Sequence, residues 1–191
     1  ITDQYDVTRY DYQDLIFQNA FGTENYLSLK GGNDKSNYFA SFGYTNNDGI
    51  VLNTNFKKYT GRLRLNQSIN SWATLSAGLA YTLSKSQDMP NGNNFFSPVS
   101  TMYIIDNVWD LTERSADGTL KQVELVRVNP LSVLETFDIT QRTNRTIADV
   151  NLKLFPFKGF RVDYTLGGDY YSLQGNELHP RLPYAGVSAD F

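Results

Sequence analysis

The sequence predicts an all-β chain, about six long antiparallel strands that form a segment of a transmembrane β-barrel. Apolar and polar residues alternate with a period of two over several stretches, the pattern of a strand with one greasy and one wetted face. Several of these stretches run about 10 to 12 residues, against roughly 5 to 6 in soluble proteins and about 9 to 11 for a tilted strand crossing a bilayer. The connections alternate between short and long, as they do when tight turns lie at one membrane surface and loops at the other.

Residues 24–31 read as the first strand, Gly32-Asn33-Asp34-Lys35 as a tight turn, and residues 36–45 as the partner strand, with Tyr38, Ala40, Phe42 and Tyr44 as its greasier row. Residues 58–69 alternate most clearly: Tyr59, Gly61, Leu63, Leu65 and Ile69 oppose Lys58, Thr60, Arg62, Arg64, Asn66 and Ser68. Past Asn70-Ser71-Trp72, the residues Ala73, Leu75, Ala77, Leu79, Tyr81 and Leu83 face one way, with Thr74, Ser76, Gly78, Ala80, Thr82 and Ser84 facing the other. In residues 145–155, Ala148, Val150, Leu152 and Leu154 oppose Asp149, Asn151 and Lys153. After a turn at Pro156-Phe157-Lys158-Gly159 the chain returns with Phe160, Val162, Tyr164, Leu166 and Tyr170 against Arg161, Asp163, Thr165 and Asp169.

Tyr26, Tyr38, Tyr44, Tyr59, Trp72, Tyr81, Phe157, Tyr164 and Tyr170 fall at or near these strand ends, where the aromatic girdles of a barrel meet the two interfaces. The longer connections, residues 46–57, 85–144 and the tail from Ser172, are expected outside the cell, and the tight ones at the periplasmic side. Starting at Ile1 and stopping at Phe191, the whole of 1–191 is expected to be part of one barrel domain of a longer protein.

Composition narrows the alternatives. With 13 Tyr and 12 Phe but only 19% charged residues, the chain suits half-wetted strands. A net charge of -3 and the lack of long like-charge runs argue against a nucleic-acid partner. Zero cysteines exclude thiolate metal sites and a Cys nucleophile, and the single histidine, His179, argues against a His-centred metal site or a Ser-His pair. No cofactor, metal or catalytic residue is expected, and the chain is read as not an enzyme. No run approaches the roughly 18 to 20 apolar residues of a membrane helix. On the residues alone a soluble or surface-anchored β-sandwich, such as a glycan-binding module, or a β-solenoid, stays open, because any antiparallel sheet with one buried face alternates.

The run from Tyr12 through Asp14, Phe17 and Asn19 to Phe21, followed by the run from Asn25 to Tyr38, closely resembles the SusC/RagA family of TonB-linked outer-membrane proteins. Phe42-Gly43-Tyr44, Asp48-Gly49-Ile50-Val51, the run from Asn55 to Leu63 and Tyr81-Thr82-Leu83-Ser84-Lys85-Ser86 follow in that family's order, so the resemblance covers residues 12–86. It implies a multi-pass barrel of about 22 strands around a plug, of which this chain would hold roughly the second to seventh. It also implies energy delivered by TonB through the plug region, a SusD-like surface lipoprotein as lid, and oligosaccharide or peptide cargo. A siderophore or vitamin receptor of the same barrel type, without the lid, is the neighbouring alternative.

Two sets of residues are singled out for function. Arg62, Arg64, Asp149, Lys153, Arg161, Asp163 and Asp169 alternate away from the apolar rows, and they are expected to face the lumen and plug. The plain alternative is the wetted face of any sheet. Phe95, Phe96, Tyr103 and Trp109 lie in the long connection among Asn and Pro residues and are expected to contact cargo or lid, against the alternative that they fold the loop on itself. Phe137 belongs to the same aromatic set, and residues 132–137 are expected to form a short helix or strand. Asp3 with Asp6, and Asp11 with Asp14, are expected to be solvated loop charges, Asn46-Asn47-Asp48-Gly49 a turn and not a calcium loop, and His179 a plain loop residue.

Overall fold

The structure, a computed structural model, describes residues 6–123 and 128–181. Six strands, β1 (Gly22–Gly32), β2 (Ser36–Asp48), β3 (Asn55–Asn70), β4 (Ala73–Asp88), β5 (Asp138–Phe157) and β6 (Phe160–Leu178), pair antiparallel in sequence order in one sheet. Three short helices, α1 (Gln13–Ile16), α2 (Pro98–Ile104) and α3 (Pro130–Thr136), lie outside it. Among the described residues no helix is long and apolar enough to cross a membrane.

Register makes the alternation into rows. Directly opposed residues share a face, so Leu29, Ala40, Leu63, Leu79, Ala148 and Gly168 form one lateral row through all six strands. The next row continues through Tyr38, Leu65, Ala77, Val150 and Leu166. From Ala73 to Leu83 in β4 the apolar face runs about 33 Å at ~3.3 Å per residue. A tilt of about 40° would reduce that to ~25 Å, the height of a barrel's apolar band.

The tight turns use the expected chemistry. Asn33 Oδ1 accepts from the backbone N–H groups of Lys35 and Ser36, both at 2.9 Å, and Gly159 takes the φ of 86° that the β5–β6 turn needs. At the β3–β4 turn a bulge between Ser68 and Asn70 leaves Ile69 without a cross-strand partner.

The strands run further than the alternation implies. Pairing continues to Asp48 and resumes at Asn55, so residues 46–48 are strand and the connection there is 49–54. It also continues to Asp88 and restarts at Asp138, which leaves residues 89–137 as the long excursion, and β6 reaches Leu178 where a tail from Ser172 was expected. Residues 132–137 resolve as helix α3 up to Thr136, capped by Asn129. Tyr26 lies mid-strand on the polar face beside Gly43 and Thr60, not among the girdle aromatics.

The buried core lies outside the strands. Tyr12, Ile16, Met89, Met102, Leu111, Val123, Val128, Val133, Leu134 and Phe137 form one cluster, all from the N-terminal segment and the excursion. Ile139, on the polar face at the start of β5, packs against it and joins it to that side of the sheet.

Candidate functional site

The seven charged residues expected at the lumen share one face, opposite the apolar rows, as the register requires. Arg64 Nη2 reaches Asp149 Oδ2 at 3.4 Å across the intervening strand. Gly78 makes this crossing possible: it lies between them in the same row, and an added Cβ would overlap the Asp149 carboxylate. Asp169 takes a bidentate pair from Arg145, Nε at 3.0 Å and Nη2 at 2.5 Å. Arg161 pairs with Asp163 two residues along the same strand. Arg62 and Lys153 form no ion pair among the described residues. Arg145 was missed by the sequence reading, although counting back from Asp149 in steps of two places it on the same face.

The excursion is a folded unit with its own polar framework. Asn129, fully buried, donates from Nδ2 to the carbonyls of Leu111 at 2.9 Å and Lys121 at 2.8 Å, while its Oδ1 accepts from Leu131 N–H at 2.9 Å to cap α3. Ser97 caps α2 in the same way, accepting from Ser100 N–H at 3.2 Å. Asn53, at φ 60°, donates to the Leu134 carbonyl at 2.6 Å and ties the 49–54 connection to α3. The buried Tyr12 hydroxyl donates toward the carbonyls of Asp106 at 2.7 Å and Trp109 at 2.9 Å, and burial holds its pKa above the ordinary phenol value. Asp110 and Asp117 cap turns by accepting from the hydroxyl and N–H of Thr112 and Thr119, which holds both carboxyls below their ordinary value.

The aromatic candidates divide. Phe96 packs against the cluster, 5.2 Å from Phe137 and edge-on to Phe95 at 5.3 Å. Tyr103 is 72% exposed and Trp109 39%, with Ile104 and Val108 exposed beside them in sequence. His179 is more than a plain loop residue: it stacks on Phe137 at 4.5 Å and meets the Glu177 carboxylate at 2.7 Å. Asp11 caps a turn, its carboxylate accepting from Gln13 N–H at 2.9 Å, and Asp14 sits exposed in the first turn of α1. Asp3 lies outside the described residues. Asp48 ends β2 and accepts from Asn55 Nδ2 at 2.8 Å. Among the described residues no group of three or more His, Cys, Asp or Glu is arranged to hold a metal ion.

No protein-family model matches the chain. The TonB-dependent receptor SusC of Bacteroides thetaiotaomicron is 26% identical over 195 residues, covering 92% of this chain and 19% of that protein. The TonB-dependent receptor P39 of Formosa agariphila is 27% identical over 173 residues, covering 90% of this chain and 16% of that protein. This chain is a SusC/RagA-like barrel segment. The RagAB peptide importer in its closed-closed state matches with a TM-score of 0.74 at 20% identity, over 96% of this chain and 22% of that one. Its open-open state gives 0.74 as well, over 94% of this chain and 21% of that one. The SusC/RagA-like segment thus spans about a fifth of the length of the proteins it matches. Both matches run through nearly all of it, so the resemblance carried by residues 12–86 extends over the later strands as well.

Proposed function

We propose that the chain forms part of the barrel wall of a TonB-dependent importer in the bacterial outer membrane, with its apolar rows against lipid and its ion-paired face toward the lumen. The observation that carries this reading is that the apolar rows cross all six strands while Leu27, Leu63, Leu79 and Leu166 stay exposed. A sandwich would cover such rows with a second sheet, and lipid covers them in a barrel. The charges on the other face suit a lumen packed against a plug, where Arg64 with Asp149 and Arg145 with Asp169 arrive already paired. Arg62, Lys153, Arg161 and Asp163 complete that inner wall.

On this reading the excursion and the 49–54 connection stand on the extracellular side. Tyr103, Trp109 and Phe95 offer the exposed aromatic contact to a SusD-like lid lipoprotein or to cargo, and Phe96 packs edge-on to Phe95. The cargo class is peptide or oligosaccharide, and the work is binding and gating, not bond chemistry. TonB engages through the plug region of such a receptor. The likeness to a peptide importer supports the peptide side of that choice.

The chain has no cysteine, so single cysteines at Leu79, Val150 and Leu166, and at Arg62 and Trp109, report exposure cleanly in this segment. In the full-length protein in outer-membrane vesicles, a membrane-impermeant maleimide should label Trp109→Cys and spare the three apolar-face positions. Rapid labelling of Leu79→Cys in intact vesicles would remove the lipid-facing assignment.

A further inference from the structure

The apolar face ends upward in a row of Tyr44, Tyr59, Leu83 and Asn144, where the Tyr44 and Tyr59 rings meet tilted at 5.0 Å and Asn144 Oδ1 accepts from the Tyr81 hydroxyl at 3.0 Å. Two residues further along each strand, on the same face, stands a row of cations: Lys57 opposes Lys85, and Lys85 opposes Arg142. Asn46 and Gln174 extend the row on either side. Directly opposed like charges on neighbouring strands destabilise a sheet, and these sit on a rigid paired backbone that cannot spread them. None forms an ion pair among the described residues. The acids of that face near this end are Asp48, bonded to Asn55 at 2.8 Å, and Asp138, four residues from Arg142 along β5. The row borders an open groove of about 590 Å³, lined also by Asn55, Gln87 and Gln174.

We propose that Lys57, Lys85 and Arg142 bind the phosphate of a lipid headgroup in the outer leaflet. This rests on the apolar rows facing lipid. The row then stands ~5 Å above the aromatic girdle, two residues at about 3.4 Å each along a strand tilted about 40°, which is the level of the headgroups. The lysine stems lie back along the apolar face and lift their ammonium groups to that level, and the Arg142 fork grips two phosphate oxygens. The bound anion relieves the repulsion that the three cations otherwise carry. A lipid phosphate, anchored by its acyl chains along Leu63, Leu79 and Ala148 below, fits this position where a free anion has nothing to hold it.

The test uses the full-length protein in neutral detergent micelles, titrated with a fluorescent bisphosphorylated lipid A, with the same lipid after phosphatase treatment, and with inorganic phosphate as competitor. Each basic side chain near an anionic surface contributes roughly fivefold, so K57Q/K85Q/R142Q should weaken binding about a hundredfold. The charge-keeping K57R/K85R/R142K should retain it, and the dephosphorylated lipid should bind native protein no better than the triple glutamine variant. Heat-modifiable electrophoretic migration checks that each variant keeps its barrel. Unchanged affinity of the glutamine variant, or equal binding of the dephosphorylated lipid, overturns the proposal. So does full competition by millimolar inorganic phosphate, which would make the row a site for free anions. The Leu79→Cys labelling separates the two readings: protection there with charge-independent lipid binding sinks this site alone, whereas labelling there sinks the orientation beneath it.

Discussion

The sheet and the excursion invert the usual division of labour between strands and loops. In a soluble β-protein the strands hold the core and the loops are wet. Here Leu27 in β1 is 74% exposed, while Leu111 in the excursion is fully buried. The sheet is held by its ladder of backbone hydrogen bonds and leaves its apolar side chains for the solvent around it. The excursion has little backbone pairing, with one isolated bridge between Arg114 and Leu120 among its described residues, and relies on a packed cluster with Asn129 at its polar centre. Similar apolar residues thus serve opposite purposes, and equal substitutions in the two regions should have unequal effects.

The largest difference is expected from changing size. Leu111→Ala empties a filled site, for which about 2–5 kcal/mol is typical, and in the full-length protein it should make the excursion sensitive to protease while the strands stay protected. Leu79→Phe, on the exposed apolar row, should leave the thermal unfolding of the barrel within measurement error if lipid covers that row as proposed, because lipid chains adapt where a packed core cannot. Equal tolerance at both positions would mean that Leu79 is packed against protein.

Changing polarity separates the two faces of the sheet from each other. Leu79→Arg puts a charge near the middle of the apolar band, at about 2–4 kcal/mol in a membrane barrel, and should lower the fraction assembled in the membrane. Gly78→Arg would confound the test by displacing Asp149, so Ser76→Arg, next along the polar face of the same strand and opposed by the neutral Asn66 and Asn151, is the control. It should assemble normally. Failure of both variants alike would show that the two faces meet similar surroundings.

This two-faced pattern was legible in the sequence because parity alone assigns each side chain to a face once strands pair. Leu63, Leu79, Ala148 and Arg64, Asp149 fall where their spacing puts them. The strand ends were not legible, for a physical reason. Beyond Tyr59 and Leu83 the contrast between the faces is lost, as in Asn55-Phe56-Lys57, where the apolar residue falls on the polar face, and in Ser84-Lys85-Ser86, so backbone pairing continues without the signal that announces it. The same loss of contrast hid the cation row, which emerges only when Lys57, Lys85 and Arg142 are aligned by register. The excursion's core was hidden differently. Tyr12, Ile16, Met102, Leu111 and Val133 meet through tertiary packing with no common period, and the framework role of Asn129 rests on partners on both sides of it in the chain. Of the four aromatic candidates, exposure distinguishes Phe95, Tyr103 and Trp109 from Phe96, a distinction that residue type could not make.

The smallest expected effect, and the one that probes the excursion most finely, is Tyr12→Phe. The phenol ring belongs to the buried cluster, and its hydroxyl ties the N-terminal segment to the carbonyls of Asp106 and Trp109. Removing the oxygen keeps the ring and releases these bonds, so the excursion should lose about 0.5–1.5 kcal/mol at neutral pH, measured as faster proteolytic opening of the full-length protein. Its pH dependence identifies the hydroxyl as the cause. Burial raises the Tyr12 pKa, assisted by the nearby charges of Asp106 and Asp110 and opposed by the bond from Trp109 N–H. A raised folded value means that the neutral phenol is the form the fold prefers. The stability it contributes is therefore whole below the unfolded phenol value and is lost as pH rises through the folded one. Opening of the native protein, followed with an alkaline-tolerant protease, should consequently accelerate above about pH 10, while Tyr12→Phe lacks that increment. The gap between the two should narrow as the pH rises. A gap that stays constant across this range would show that Tyr12 holds the excursion through its ring alone.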